Sequence, residues 1–267
     1  MTDAPRGTPA DLKLLIDGPL AWIVAENPDR MNALTAAMWE KFPAHVAAAE
    51  ADPSVRVIVL RGSGTRAFSA GADISEFDGA RTGAGVADYD RLNHAAFMAL
   101  LSAQKPVIAM IHGFCLGGGL GIAACADMRL ADPKAQFAIP AAKLGLGYNP
   151  RWVPPLLAMA PPAFVKEMLF TGRHVTAAEA LRIGLVNDVV EAENLEIAVR
   201  TVAGDIAANA PLSVQAAKLA VNELVRHPEH PDIGTLDDAV RACFESADYE
   251  EGRRAFLEKR KAKFEGR

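Results

Sequence analysis

Between Pro106 and Asp127 the chain reads PVIAMIHGFCLGGGLGIAACAD, an order of residues that few folds accommodate. Val107 to Ile111 is an apolar run behind a proline and predicts a buried strand. Gly117, Gly118 and Gly119 follow as a turn. The small residues from Leu120 to Ala126 predict a helix. A strand that turns through glycine into a helix aims unpaired backbone N–H groups at one point, where an anion is stabilised. The helix dipole adds partial positive charge there. Apart from His112 and Cys115, the segment offers no acid, base or nucleophile before Asp127. Its chemistry falls to the backbone.

The rest of the chain repeats this alternation. Leu20–Ala25 and Val55–Leu60 predict further strands. Asn27-Pro28-Asp29 is a turn, and Thr35 is an N-cap for a helix reaching about Glu50. Arg61 to Arg66 is a loop, FSAGAD (68–73) is short and irregular, and the stretch 79–86 is glycine-rich. A helix is predicted over 88–103. Short strands are predicted at 128–131 and 135–139, a loop at 144–150, and helices at 153–160 and 162–171. Thr176 and Glu179 form a capping box for a helix over 177–183, before a last strand at 185–190. From Leu195 the pattern is helical throughout, over about 195–209, 212–226, 233–246 and 248–264. Strands and helices alternate first and helices alone come last, which predicts an α/β fold with a helical tail. The expected divisions are a lead-in over 1–11, a core over 12–192 and a helical region over 193–267.

Composition excludes several roles. Over 267 residues the net charge is −5, and no long run of one sign marks a nucleic-acid surface. No apolar stretch has the length of a membrane span. The N-terminus, MTDAPRGTPA, has no apolar core and carries Asp3, unlike a secretory signal. Cys115, Cys125 and Cys243 lack metal-ligand spacing and suit a reduced, cytoplasmic setting. Free cysteine is usually buried filler, which is the reading adopted for Cys115. No metal site is expected.

FSAGADI (68–74), GFCLGGGLGIAACAD (113–127) and AQFAIPAAKLGLGYN (135–149), in that order, resemble the crotonase (enoyl-CoA hydratase/isomerase) superfamily. TGRHVTAAEALRIGLVNDVV (171–190) and FLEKRKAKF (256–264) extend the resemblance over nearly the whole chain. It implies a spiral of ββα units with a C-terminal helical region that mediates trimerisation, as a homotrimer or a dimer of trimers. It implies an acyl-CoA thioester as substrate partner, with CoA part of the substrate and no separate cofactor. The shared chemistry is an oxyanion hole of two backbone N–H groups, which map to Ala72 and Gly118. One such donor contributes roughly 10²–10³ in rate.

The resemblance withholds the usual reaction. Hydratases of this superfamily use two glutamates, whose positions here are Gly121 and Ala141, and neither can move a proton. In relatives with an aspartate in the following loop, the matching residue here is Asn149. PAAKLGLGYN and the tail ESADYEEGRRAFLEKRKAKF resemble methylmalonyl-CoA decarboxylases, whose loop tyrosine maps to Tyr148. Loss of CO₂ creates an enolate without a base, so an oxyanion hole and a proton donor suffice; Tyr148 or the Asn149 amide are the candidates. Hydration or isomerisation through other residues, and acyl-CoA binding without catalysis, stay open as alternatives.

Asp73, Glu76 and Asp78 follow the first turn. Glu76 reads as a solvated helix face, Glu167 as a surface ion pair, and His112 as a satisfied structural histidine. The resemblance places CoA against Arg30 to Ala33 and Ala70 to Ile74, so Arg30, Ala33, Ala70, Ala72, Asp73 and Ile74 are the binding candidates. Arg30 is a phosphate partner. Lys259, in the EKRK helix end, is a candidate to reach the CoA of a neighbouring subunit.

Overall fold

VIVL and VIAMI, the two most aliphatic runs, form the middle of a six-stranded sheet. The structure, a computed structural model, describes residues 9–73, Glu76 and 85–267. The expectations for Ile74, Asp78 and most of the stretch 79–86 fall outside those residues.

The large sheet contains β1 (Asp11–Asp17), β2 (Leu20–Glu26), β3 (Val57–Gly62), β5 (Val107–Ile111), β7 (Met128–Ala131) and β10 (Asp188–Val189), adjacent in that order. β1 and β2 form an antiparallel hairpin, with Asp11 opposite Glu26 and Asp17 opposite Leu20; the other pairs are parallel. A second sheet is ordered β4 (Ala67–Ser69), β6 (Phe114–Leu116), β8 (Gln136–Ala138), β9 (Val175–Thr176). From β3 to β8 successive strands alternate between the sheets. Helix α2 (Gly85–Ser102) follows β4 and α3 (Gly118–Ala124) follows β6. This is the expected ββα spiral.

Both faces of the large sheet are covered, as parallel strands require. Ile23, Ile58, Leu60, Ala109 and Ile111 join one core with Trp39 and Phe42 of α1 (Ala36–Ala51) and Phe97 and Leu100 of α2. The alternate residues Trp22, Val57, Val59, Ile108 and Met110 join a second core with Leu195, Val199 and Ala203 of α7 (Leu195–Ala207). The first helix of the expected tail therefore closes the sheet. By contrast α8 (Pro211–Arg226) and α9 (Ile233–Phe244) bury no residue fully. Helices α4 (Val153–Met159), α5 (Pro162–Thr171) and α6 (Ala177–Arg182) lie close to their predicted spans.

Several elements differ from the sequence reading. β1 was not expected, and it starts at Asp11, inside the assigned lead-in. It is an edge strand, and Leu15 and Ile16 are 54% and 45% exposed, which blurs its alternation. β6 is three residues long, too short to carry a period. Helix α3 starts at Gly118 rather than Leu120 and ends at Ala124, because packing rather than propensity decides there. Past its end, buried Arg129 donates to the carbonyls of Ala126 at 2.6 Å and Leu185 at 2.7 Å. Residues 185–187 are bent there, and the last strand is two residues long. The Thr176 hydroxyl caps α6 as expected, accepting from Glu179 N–H, but the Glu179 carboxylate binds Arg173 at 2.6 Å instead of closing the box. The last helix, α10, spans Ala247–Leu257 and not 248–264. Lys259 has φ +52°, and the chain turns back so that Asp248 accepts N–H groups of Glu265 and Gly266. Lys259 is thus exposed beyond a helix end, not within a helix.

Candidate active site

Two backbone turns meet at the N-terminus of α3. In the first, residues 31–34 run beside 70–73: Ala70 N–H donates to Met31 O at 2.9 Å, Leu34 N–H to Gly71 O at 2.7 Å, and Asp73 N–H to Leu34 O at 3.0 Å. Buried Asn32, itself at φ +55°, clamps this loop. Its amide donates to Ser63 O and Ala67 O, and its oxygen accepts from Asn27 N–H and the Ser63 hydroxyl. Arg30, Ala33, Ala70, Ala72 and Asp73 are thereby brought together. Arg30 is exposed and ion-paired with buried Asp73 at 2.8 Å, which holds its guanidinium at the rim.

The second turn, Gly117–Gly119, packs directly on the first. A Cβ on Gly71, whose φ is +98°, would lie 2.9 Å from Leu116 O and 3.3 Å from Gly118 N. One on Gly119 would lie 2.7 Å from Ser69 Cβ, and one on Gly118 3.8 Å from Ala72 N and 3.0 Å from Trp39. The glycines let two backbones approach where side chains would hold them apart. Ala72 N–H and Gly118 N–H donate to no group among the described residues. Gly118 opens a helix whose cap, Gly117, supplies no side-chain acceptor. The helix has only seven residues, so the two N–H groups, more than its dipole, are what this turn presents.

One turn deeper the chemistry changes. Gly121 is buried, and a Cβ there would meet Phe97 Cζ at 2.7 Å. The Phe97 ring is edge-on to Trp39 (centroids 5.8 Å) and to Trp152 (5.5 Å), and Trp152 is edge-on to Tyr148 (5.8 Å). An aromatic cluster packs over Gly121. Ala141 is half-buried against the same core. Burial holds the Tyr148 phenol above its ordinary pKa, so it stays protonated and able to donate. Asn149 uses both ends of its amide: Oδ1 accepts from Arg151 N–H at 3.0 Å, and Nδ2 donates to Asp90 Oδ2 at 3.1 Å. That leaves Asn149 a poor proton donor.

The remaining candidates have structural partners. Glu76 caps α1 by accepting from Ala36 N–H at 2.8 Å, rather than lying on a solvated face. Glu167 pairs with Arg173 at 2.7 Å. His112 Nδ1 bonds Asp132 Oδ2 at 3.0 Å, both buried. Cys115 and Cys125 are buried; burial raises both thiols, that of Cys125 to about 12, so neither is a nucleophile. Lys259 makes no contact with this site among the described residues. Phe97, Trp152 and Asp90 were not singled out by sequence. Their helix and loop are legible, but no motif marks which face meets Gly121.

Known proteins match this architecture. The family model described as enoyl-CoA hydratase/isomerase matches residues 16–267. The chain is 37% identical to a crotonyl-CoA hydratase of Syntrophomonas wolfei, covering 92% of this chain and 94% of that one. It is 37% identical to a carnitinyl-CoA dehydratase of Proteus mirabilis, covering 96% and 98%. A crystal structure of an enoyl-CoA hydratase/carnithine racemase from Magnetospirillum magneticum superposes with a TM-score of 0.91 at 36% identity, covering 96% of each chain. Spiral, paired turns and full-length similarity agree, and the chain belongs to the enoyl-CoA hydratase/isomerase family.

Proposed function

We propose that the protein binds an acyl-CoA thioester and stabilises its enolate, the thioester oxygen lying between Ala72 N–H and Gly118 N–H. The carrying observation is the pairing of two N–H groups, uncommitted among the described residues, with Gly121 and Ala141 where a hydratase is expected to keep carboxylates. Reactions that need two carboxylates are disfavoured. Decarboxylation of a malonyl-CoA-type thioester needs least: the C–CO₂ bond breaks, its electrons enter the enolate, and the two N–H groups hold the oxygen. Tyr148, kept protonated by burial, then supplies a proton to the α-carbon. Arg30 at the rim meets a CoA phosphate.

A second reading, hydration or dehydration through other residues, is supported by the named activities of the relatives. The test sets CO₂ release from malonyl- and methylmalonyl-CoA beside loss of the conjugated thioester absorbance of crotonyl-CoA. Dominant CO₂ release, lowered about 10²-fold in Tyr148→Phe with binding retained, is expected. Faster crotonyl-CoA hydration than CO₂ release contradicts it, and tight binding with no turnover identifies a non-catalytic binder.

The tail supports the homotrimer or dimer-of-trimers reading. Val221, Val240, Phe244 and Phe256, on α8, α9 and α10, are large apolar side chains left exposed, as a subunit interface would need. Light scattering that finds a monomer overturns that reading. No helix among the described residues is long and apolar enough to cross a membrane.

A further inference from the structure

The site lacks both glutamates but does not lack a carboxylate. Asp90, on α2, is half-buried and bonded to Asn149 on the loop beside Tyr148. The Asn149 amide is oriented independently, because its oxygen is committed to Arg151 N–H. Its NH₂ therefore faces Asp90 and holds one carboxylate oxygen, leaving the other for a second partner.

Three contacts fix where Asp90 lies. Its neighbour Tyr89 accepts a hydrogen bond from Trp39 Nε1 at 3.0 Å, and Trp39 lies against Gly118. Phe97, seven residues on, shares Asp90's helix face and meets Gly121. Trp152 links Phe97 back to Tyr148, beside Asn149. Helix α2 thus runs with Phe97 over the deep end of the site and its Tyr89–Asp90 end toward Gly118. These contacts link Gly118, Trp39, Tyr89, Phe97, Gly121, Trp152 and Tyr148, and Asp90 is bonded to Asn149 beside that chain.

We propose that Asp90 is the base of this site, distinct from the proton donor Tyr148 and held by Asn149 as a positioning residue, and that reversible enolisation of a simple acyl-CoA reads it out. Asp90 takes a proton from the α-carbon. The C–H electron pair forms the enolate double bond, and the thioester oxygen takes the negative charge between Ala72 N–H and Gly118 N–H. Return of a proton from the Asp90 carboxylic acid restores the thioester. One carboxylate suffices for this, whereas hydration needs water activated as well. The proposal rests on the oxyanion reading above and goes beyond decarboxylation, which needs no base.

The test incubates the full-length protein with butyryl-CoA in D₂O and follows deuterium at the α-carbon by mass spectrometry, with butyryl-CoA affinity measured by calorimetry. The native protein is expected to exchange the α-protons. Asp90→Asn, close to isosteric, is expected to bind comparably and lose about 10²-fold or more of the exchange. Asp90→Glu restores part of it, which a merely structural role would not predict. Asn149→Ala reduces exchange less than Asp90→Asn does. If native protein binds butyryl-CoA but does not exchange it, or if Asp90→Asn exchanges within threefold of native, the Asp90 assignment falls and the oxyanion reading stands. If native protein binds no acyl-CoA, both fall.

Discussion

The two ends of the site are built from different materials. Around Ala72 and Gly118 the working groups are backbone N–H groups, and glycine lets two turns touch. Around Gly121 and Ala141, only a few residues away, the working groups of a hydratase would be side chains, and here aromatic packing fills the space. A backbone site survives wide side-chain change, because any residue that fits the turn supplies the same N–H. A side-chain site is lost with one substitution. On the proposed reading, the chain keeps a backbone means of holding an enolate and departs from the two-carboxylate means of moving protons.

If the acyl end is a packed aromatic wall, its stability rests on Phe97. Phe97→Ala should destabilise the protein by about 3–5 kcal/mol, read from the denaturant midpoint. A cost under 1 kcal/mol would mean the wall is loose and the space available to substrate. At the other end, Gly71→Ala places a Cβ 2.9 Å from Leu116 O in a left-handed backbone position. It should displace the Gly118 donor and lower kcat on any turned-over acyl-CoA by about 10²-fold, as loss of one oxyanion donor does. A change within threefold would separate the glycines from catalysis.

Gly121→Ala tests whether the carboxylate position is closed. Overpacking against Phe97 should cost about 1–3 kcal/mol, and the cost should shrink in a Phe97→Leu background. Additive effects would place Phe97 elsewhere. The smallest expected effect concerns Cys125, just past α3. Its folded-state pKa is raised by burial from 9.0 to about 12, so the unfolded chain loses its thiol proton first. Stability from this group is complete below pH 9.0 and is lost as pH rises toward 12. At pH 10 the loss is about 1 kcal/mol, and Cys125→Ala should remove that part of the pH dependence.

This contrast also explains what was legible in sequence. The central strands were, because Val57–Leu60 and Val107–Ile111 are buried on both faces and read as continuous apolar runs. The two turns that meet at Gly118 were, because FSAGAD and GGG are local signals. The resemblance also placed Gly121 and Ala141 at positions expected to carry glutamates. What fills their space was not legible, since the contact of Phe97 with Gly121 joins residues 24 apart through two helix orientations. Asp90 was hidden for the same reason: its partner Asn149 is 59 residues away. β1 was missed because an edge strand exposes apolar residues on its open side. The C-terminal helix was overextended because its end is set by tertiary contacts: Arg260 binds Glu251 at 2.6 Å and Arg56 binds Phe264 O at 3.2 Å.

The central claim is that two backbone N–H groups hold the thioester oxygen. A crystal structure of the full-length protein with a non-reactive acyl-CoA analogue tests it most directly. The account predicts the carbonyl oxygen at about 2.7–3.1 Å from both Ala72 N and Gly118 N, with the acyl group directed toward Tyr148 and Asp90. A thioester oxygen bonded to neither N–H, or bonded to a side chain instead, would contradict it.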